Sequence, residues 1–161
     1  MRWIVLALMA LSTAAGAETP SLTGTYSGIV ACDRTDDGRP GVFQLELTIR
    51  VLHDGTDLHL ATWTPENEPL ARHTPSLYAG KAVVADGRVS GYAQTCRPDF
   101  EYSETLRILP ALAEDGGLSF AADTIFVTEA LPGREGQLIT ESCRWVMTRQ
   151  SAQTPEMETC D

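Results

Sequence analysis

Three histidines and four cysteines are the side chains best suited to catalysis or metal binding here, and only one small group is closely spaced. His53, Asp54, Asp57 and His59 bracket a single Asp-Gly pair, so imidazoles and carboxylates would meet across a hairpin, as a Zn or Cu ion requires. Asp54 is needed by the turn itself, and strand alternation puts Asp57 and His59 on the polar face. The reading therefore favours a solvated hairpin and no metal. His73 lies apart, in a proline-bearing stretch. With no Gly-x-Ser-x-Gly elbow, no His-Glu-x-x-His and no phosphate-cradling glycine loop, the expectation is a protein that is not an enzyme and holds no cofactor. Glu104 is the more informative carboxylate. It alternates with Tyr102, Leu106 and Ile108, so it faces inward unless a twist or bulge turns it out. An inward carboxylate needs a partner.

Cys32, Cys96, Cys143 and Cys160 are never paired as Cys-x2-Cys, which argues against zinc. An even count behind an export leader reads as two disulfides. That leader is expected over residues 1–17: Arg2, an apolar run from Trp3 to Leu11, then small residues at Ala15 and Ala17, with cleavage before Glu18. The apolar run is too short to span a bilayer, so no stable membrane insertion is expected and the location is periplasmic or secreted. Residues 18–161 are long enough for a single domain with its own core. The formal net charge of the 161 residues is −10, and Lys81 is the only lysine. Nucleic acid is a poor partner for such a surface, while a cationic protein is a partner it could steer.

The elements that must position these side chains are strands. Leu22–Cys32 answers Cys143–Arg149: with Cys32 opposite Cys143, Val30 faces Trp145, Gly28 faces Met147 and Tyr26 faces Arg149, and one apolar face is shared. Gly41–Leu52 alternates cleanly, with Phe43, Leu45, Leu47, Ile49 and Val51 on one side. Asp54-Gly55 turns it back into 57–64, and Asp86-Gly87 joins 76–85 to 88–96. Residues 101–109 and 118–128 follow. The second has Phe120 and Phe126 on one face but Ile125 and Val127 on the other, which a bulge near Ala121-Ala122 would reconcile. No amphipathic helix of more than two turns is apparent.

Eight strands in series predict an all-β, antiparallel up-and-down barrel, with a flattened β-sandwich as the alternative. Turn pairs fall at alternate links. The other links (33–41, 64–76, 97–100 and 129–136) are mostly longer and richer in proline, so one end is sewn tight and the other is loop-rich and the natural mouth. Barrel closure favours Cys32–Cys143 at that mouth. Cys160 lies on a polar tail, 150–161, long enough to climb the wall and form Cys96–Cys160. A sandwich would instead favour Cys32–Cys96 with Cys143–Cys160.

Gly24-Thr25-Tyr26 near the start, Arg149 near the end of the last strand and an eight-strand meander together resemble the lipocalin and avidin-like barrels, the calycins. The resemblance implies a barrel that binds a small molecule at its open end. In that family a tryptophan usually occupies the position of Tyr26, stacked near such an arginine. Only Trp63 and Trp145 follow the leader, whereas biotin binding in avidins relies on several tryptophans.

Tyr26, Phe43, Tyr92, Glu104, Phe120 and Trp145 are the candidate ligand-binding residues, the aromatics for contact area and Glu104 for polarity. Small eight-stranded barrels are often simply filled, so lining and core stay unseparated at this level. The favoured function is binding a small apolar or amphipathic ligand. The alternatives are an acidic inhibitor of a basic periplasmic hydrolase, with Glu66, Glu68 and Asp99 on the rim, and a structural envelope protein without ligand.

Overall fold

In the computed structural model the described residues are 21–36, 39–67, 75–96, 102–112, 117–128 and 137–160. The expected leader and its cleavage point lie outside them, as do Glu68, His73, Asp99 and most of three long links. Eight strands follow one another: β1 Gly24–Asp36, β2 Arg39–Asp54, β3 Asp57–Trp63, β4 Ser76–Ala85, β5 Arg88–Thr95, β6 Tyr102–Leu112, β7 Gly117–Thr128 and β8 Gln137–Ser151. Each is antiparallel to its neighbour in sequence, and β8 returns to β1, so the sheet closes into a barrel rather than a flattened sandwich. Closure leaves no strand edge open to pairing.

The seam has the register that the shared apolar face requires. Cys32 lies opposite Cys143, Val30 opposite Trp145, Gly28 opposite Met147 and Tyr26 opposite Arg149. Gly55 (φ 60°) turns β2 into β3, and Asp86 and Gly87 (φ 50° and 71°) turn β4 into β5; both are positive-φ reversals that match the twist of a hairpin. Two glycines serve a different need. A Cβ on Gly28 would collide with the Val146 carbonyl, and one on Gly80 with the Tyr92 carbonyl, because the neighbouring strand's backbone passes close on that side.

Two expectations are corrected. Residues 33–41 are not a loop: β1 runs to Asp36 and β2 starts at Arg39, with Asp33 opposite Val42 and also opposite Ser142. Polar residues extend these strands because they find partners at the rim, as Arg34 does in Glu141. Nor is there a bulge at Ala121-Ala122. The ladders of β7 with β6 and β8 run unbroken, Phe120, Ala122 and Thr124 are buried, and Ile125 faces outward, 54% exposed. An isolated exposed aliphatic on an outer wall needs no rearrangement of the strand.

Both disulfides are the pair that closure favoured. Cys32–Cys143 bridges the seam, and Cys96–Cys160 ties the tail to the end of β5. The tail, residues 152–160, has no regular structure and lies along the outer wall, where Arg50 donates a 2.7 Å hydrogen bond to the Glu156 carbonyl.

The core fills the tight end. Ile49, Val51, Leu58, Leu60, Val89 and Met147 are fully buried there, and Leu22 tucks in beneath them. Residues 21–23 cross this end and are held by side chains from three strands. Tyr26 donates to the Leu22 carbonyl (2.7 Å), and Arg149 donates to the Ser21 and Thr23 carbonyls (2.6 and 2.8 Å) while its guanidinium lies 5.4 Å from the Tyr26 ring centre. His53 Nδ1 accepts from the Leu22 amide at 3.4 Å, and its Nε2 lies 3.2 Å from the Ala82 carbonyl.

Burial raises the Tyr26 pKa above its ordinary value, with Arg149 pulling the other way. Between the unfolded value, near 10, and the higher folded one, the unfolded chain releases a proton that the native chain keeps, so stability falls as pH rises through that window. Tyr26→Phe should therefore be less stable than the parent at pH 8, by about 1 kcal/mol for the lost hydrogen bond. The gap should narrow above pH 10. Urea midpoints of the two proteins at both pH values measure this; a gap independent of pH would contradict it.

Candidate functional site

Going up the barrel from this packed end, the interior opens. A cavity of about 250 Å³ occupies the loop-rich half. The ladders explain its composition. Glu104 is opposite Thr124, Thr124 opposite Glu141, and Glu141 opposite Arg34, so one inward row on β6, β7, β8 and β1 is entirely polar. Thr62 and Ser76, paired between β3 and β4, continue it on the facing wall. One row deeper the same strands place Leu106, Ala122, Cys143, Cys32 and Phe43, and the next row contains Phe120, Trp145, Val30 and Leu45. The cavity is thus a polar ring above an apolar and aromatic base.

Each polar side chain in the ring is held in place. Arg34 Nε is 2.8 Å from a Glu141 carboxylate oxygen and its guanidinium lies 5.5 Å from the Phe43 ring centre. Glu104, only 5% exposed, accepts from the Tyr78 hydroxyl on one oxygen and from the Thr124 hydroxyl on the other, the latter at 2.6 Å. Its own backbone is tied to β5 through the Thr95 hydroxyl. Such hydroxyl-to-carboxylate bonds are charge-assisted, which is how a carboxylate is tolerated inside a barrel. Below the ring, the Trp145 ring meets Tyr78 and Phe120 edge-on, with centres 6.3 and 5.8 Å apart.

Phe43, Glu104 and Trp145 line this cavity as candidate residues. The other three do not. Phe120 is fully buried behind Trp145 and supports it rather than the cavity. Tyr26 is at the opposite, closed end. Tyr92 is on the outer wall, 51% exposed, because the inward positions of β5 are Val89, Gly91 and Ala93. Sequence reasoning missed Tyr78, Thr124, Thr62, Arg34 and Glu141. Their signal was the register: carrying the Cys32–Cys143 pairing one inward step toward the mouth puts Arg34 against Glu141.

Among the described residues, His53, Asp54, Asp57 and His59 do not bring three ligand atoms within 4.8 Å of one another. Asp57 instead pairs with Lys81, whose hydrogen bond and charge hold its carboxyl below the usual value. Among the described residues the one His/Cys/Asp/Glu group with its ligand atoms within 4.8 Å of one another is Cys32, Glu141 and Cys143, and both sulfurs are joined in the disulfide.

Fold and cavity together define a small closed β-barrel, stapled twice and hollow at one end. No family model matches the chain, and no curated protein matches it either. Among solved structures it is similar to the monomer form of the M. tuberculosis PknI sensor domain, at 18% identity and a TM-score of 0.40, over 88% of this chain and 95% of that one.

Proposed function

We propose that this protein is an exported binding barrel that takes one small amphipathic molecule into its open half. The observation that carries the reading is the division of the interior. The closed half is packed with aliphatic side chains, while the open half keeps about 250 Å³ under a ring of fixed polar groups. A few oriented polar groups around an apolar hollow are what small-molecule sites share, and this volume, just below their common range of roughly 300–1,000 Å³, sets a small ligand. Two disulfides suit an oxidising compartment outside the cytoplasm.

Native mass spectrometry of protein taken from its own cell envelope tests this directly. The expected result is a retained small molecule released on denaturation. A spectroscopic check uses the two tryptophans. Trp63 is on the outer face with Arg50 4.4 Å from its ring centre, whereas Trp145 lines the cavity. In Trp63→Phe, emission comes from Trp145 alone once the leader is removed, and it should respond saturably to a small-molecule extract of the source envelope. No retained mass and no change in emission would remove the reading.

A further inference from the structure

The C-terminal tail crosses the outer wall along a single lateral row. Arg50, Ala61 and Leu77 are successive outward partners on β2, β3 and β4, and the Cys96 amide donates to the Leu77 carbonyl at 2.9 Å, which carries the row on to the end of β5. The tail is fixed at both ends of this row: Arg50 donates to the Glu156 carbonyl, and Cys160 is bonded to Cys96. From β2 to β5 the row crosses three strand spacings, about 14 Å. The four steps from Glu156 to Cys160 reach about 13–14 Å when extended, so the lengths match. Pro155, Met157 and Thr159 are half-buried while Glu156 and Glu158 are exposed, the alternation of an extended segment with one side on the wall. Ala61, in the middle of the row, points outward between the inward Leu60 and Thr62, yet it is 0% exposed. A small outward side chain with no exposure has a cover, and the tail is placed to supply it.

The two disulfides differ in access. Cys32 and Cys143 are 2% and 6% exposed within the seam, whereas Cys96 and Cys160 are both half-buried on the outside of the barrel. Thiol–disulfide exchange requires an attacking thiolate to reach a sulfur, so an accessible bond exchanges where a sealed one persists. Going beyond the binding reading and independent of it, we infer that Cys96–Cys160 is a thiol-exchange site and that residues 157–160 are the strap it releases, while the seam bond keeps the barrel closed. A reductant thiolate attacks one of the two sulfurs, and the other leaves as a thiolate that takes up a proton. A second reductant thiolate then cleaves the mixed disulfide, so two reductant thiols end as one disulfide and the protein gains two thiols. The strap lifts from the row and uncovers Ala61, while the tail stays tethered where Arg50 meets Glu156.

Glutathione, at a rising ratio of thiol to disulfide, is added to the oxidised, folded protein, and free cysteines are trapped with iodoacetamide at intervals and located by peptide mass mapping. Cys96 and Cys160 should be alkylated on the order of tenfold or more faster than Cys32 and Cys143. In protein reduced at the outer bond, the Met157 methyl resonance should narrow and the Ala61 methyl should shift as it meets water. The Val30 and Leu47 methyls, which face the cavity, should stay in place. The double variant Cys96→Ser/Cys160→Ser should show the same Met157 and Ala61 changes with no reductant present. Alkylation of both cysteine pairs at one rate, or of the seam pair first, would overturn the inference. So would early alkylation of Cys96 and Cys160 with Met157 and Ala61 unchanged, since the bond would then not be what holds the strap down.

Discussion

Trp145→Ala is expected to lower the stability of the barrel by about 3–5 kcal/mol, the range for deleting a buried large aromatic. Trp145 is opposite Val30 across the seam and opposite Phe120 on β7, and its ring is held edge-on by both Tyr78 and Phe120, so truncation removes contacts on three sides. The neighbouring cavity would merge with the space left behind, which denies the site an easy collapse. Gln44→Ala is the matched control. Gln44 is opposite Ala31 on the exposed outer face, and its loss should change stability by no more than about 0.5 kcal/mol. Urea midpoints of the two variants, compared at constant slope, give the answer. Similar midpoints would mean that Trp145 does not organise the interior as described.

The second large effect belongs to the seam disulfide. Replacing both Cys32 and Cys143 with alanine should cost about 4–5 kcal/mol, because the bond closes a span of 111 residues and so removes much of the freedom of the unfolded chain. Against a typical total of roughly 5–15 kcal/mol, that is about a quarter or more of what holds a domain folded. The Cys96–Cys160 bond spans 64 residues and on the same argument differs by only about 0.5 kcal/mol in global terms. Its removal has a local signature as well. The tail at 152–160 would keep the Arg50 to Glu156 contact but lose its anchor on β5, and it should become the first site of limited proteolysis. A seam variant as stable as the parent would contradict the assignment of the seam bond.

Much of this architecture was legible because its signals were strict. Phe43, Leu45, Leu47, Ile49 and Val51 alternate without exception, two turns carry Asp-Gly, and the Cys32–Cys143 alignment makes four apolar or ring pairings coincide. The site was less legible because parity is easily lost in strands built of small residues. In β5, Gly91 and Ala93 face inward and carry little hydrophobic weight, so the larger Tyr92 drew the reading although it points to solvent. In β4, Tyr78 is the inward residue of a stretch in which Leu77, Val83 and Val84 blur the period. The polar ring was hidden for another reason. Arg34, Thr124 and Glu141 have ordinary surface composition, and only the partner across each ladder shows that they face the same space. Glu104 was visible because Leu106 and Ile108 flank it on a strongly apolar face.

The closed ring also dictates an order of assembly. Seven of its eight ladders join strands that are neighbours in sequence and can form as local hairpins, but the β1–β8 seam joins the two ends of the barrel. Pairings of such high sequence separation are reached slowly, since the chain gives up freedom before any contact repays it. A chain denatured with Cys32–Cys143 intact never separates the two sides of the seam, so its refolding is reduced to a search among hairpins. A reduced chain must find the same partner across the whole domain. The bond at the mouth is thus a kinetic device as much as a staple: refolding of the oxidised chain should outpace that of the reduced one, with the longest step of the search already complete.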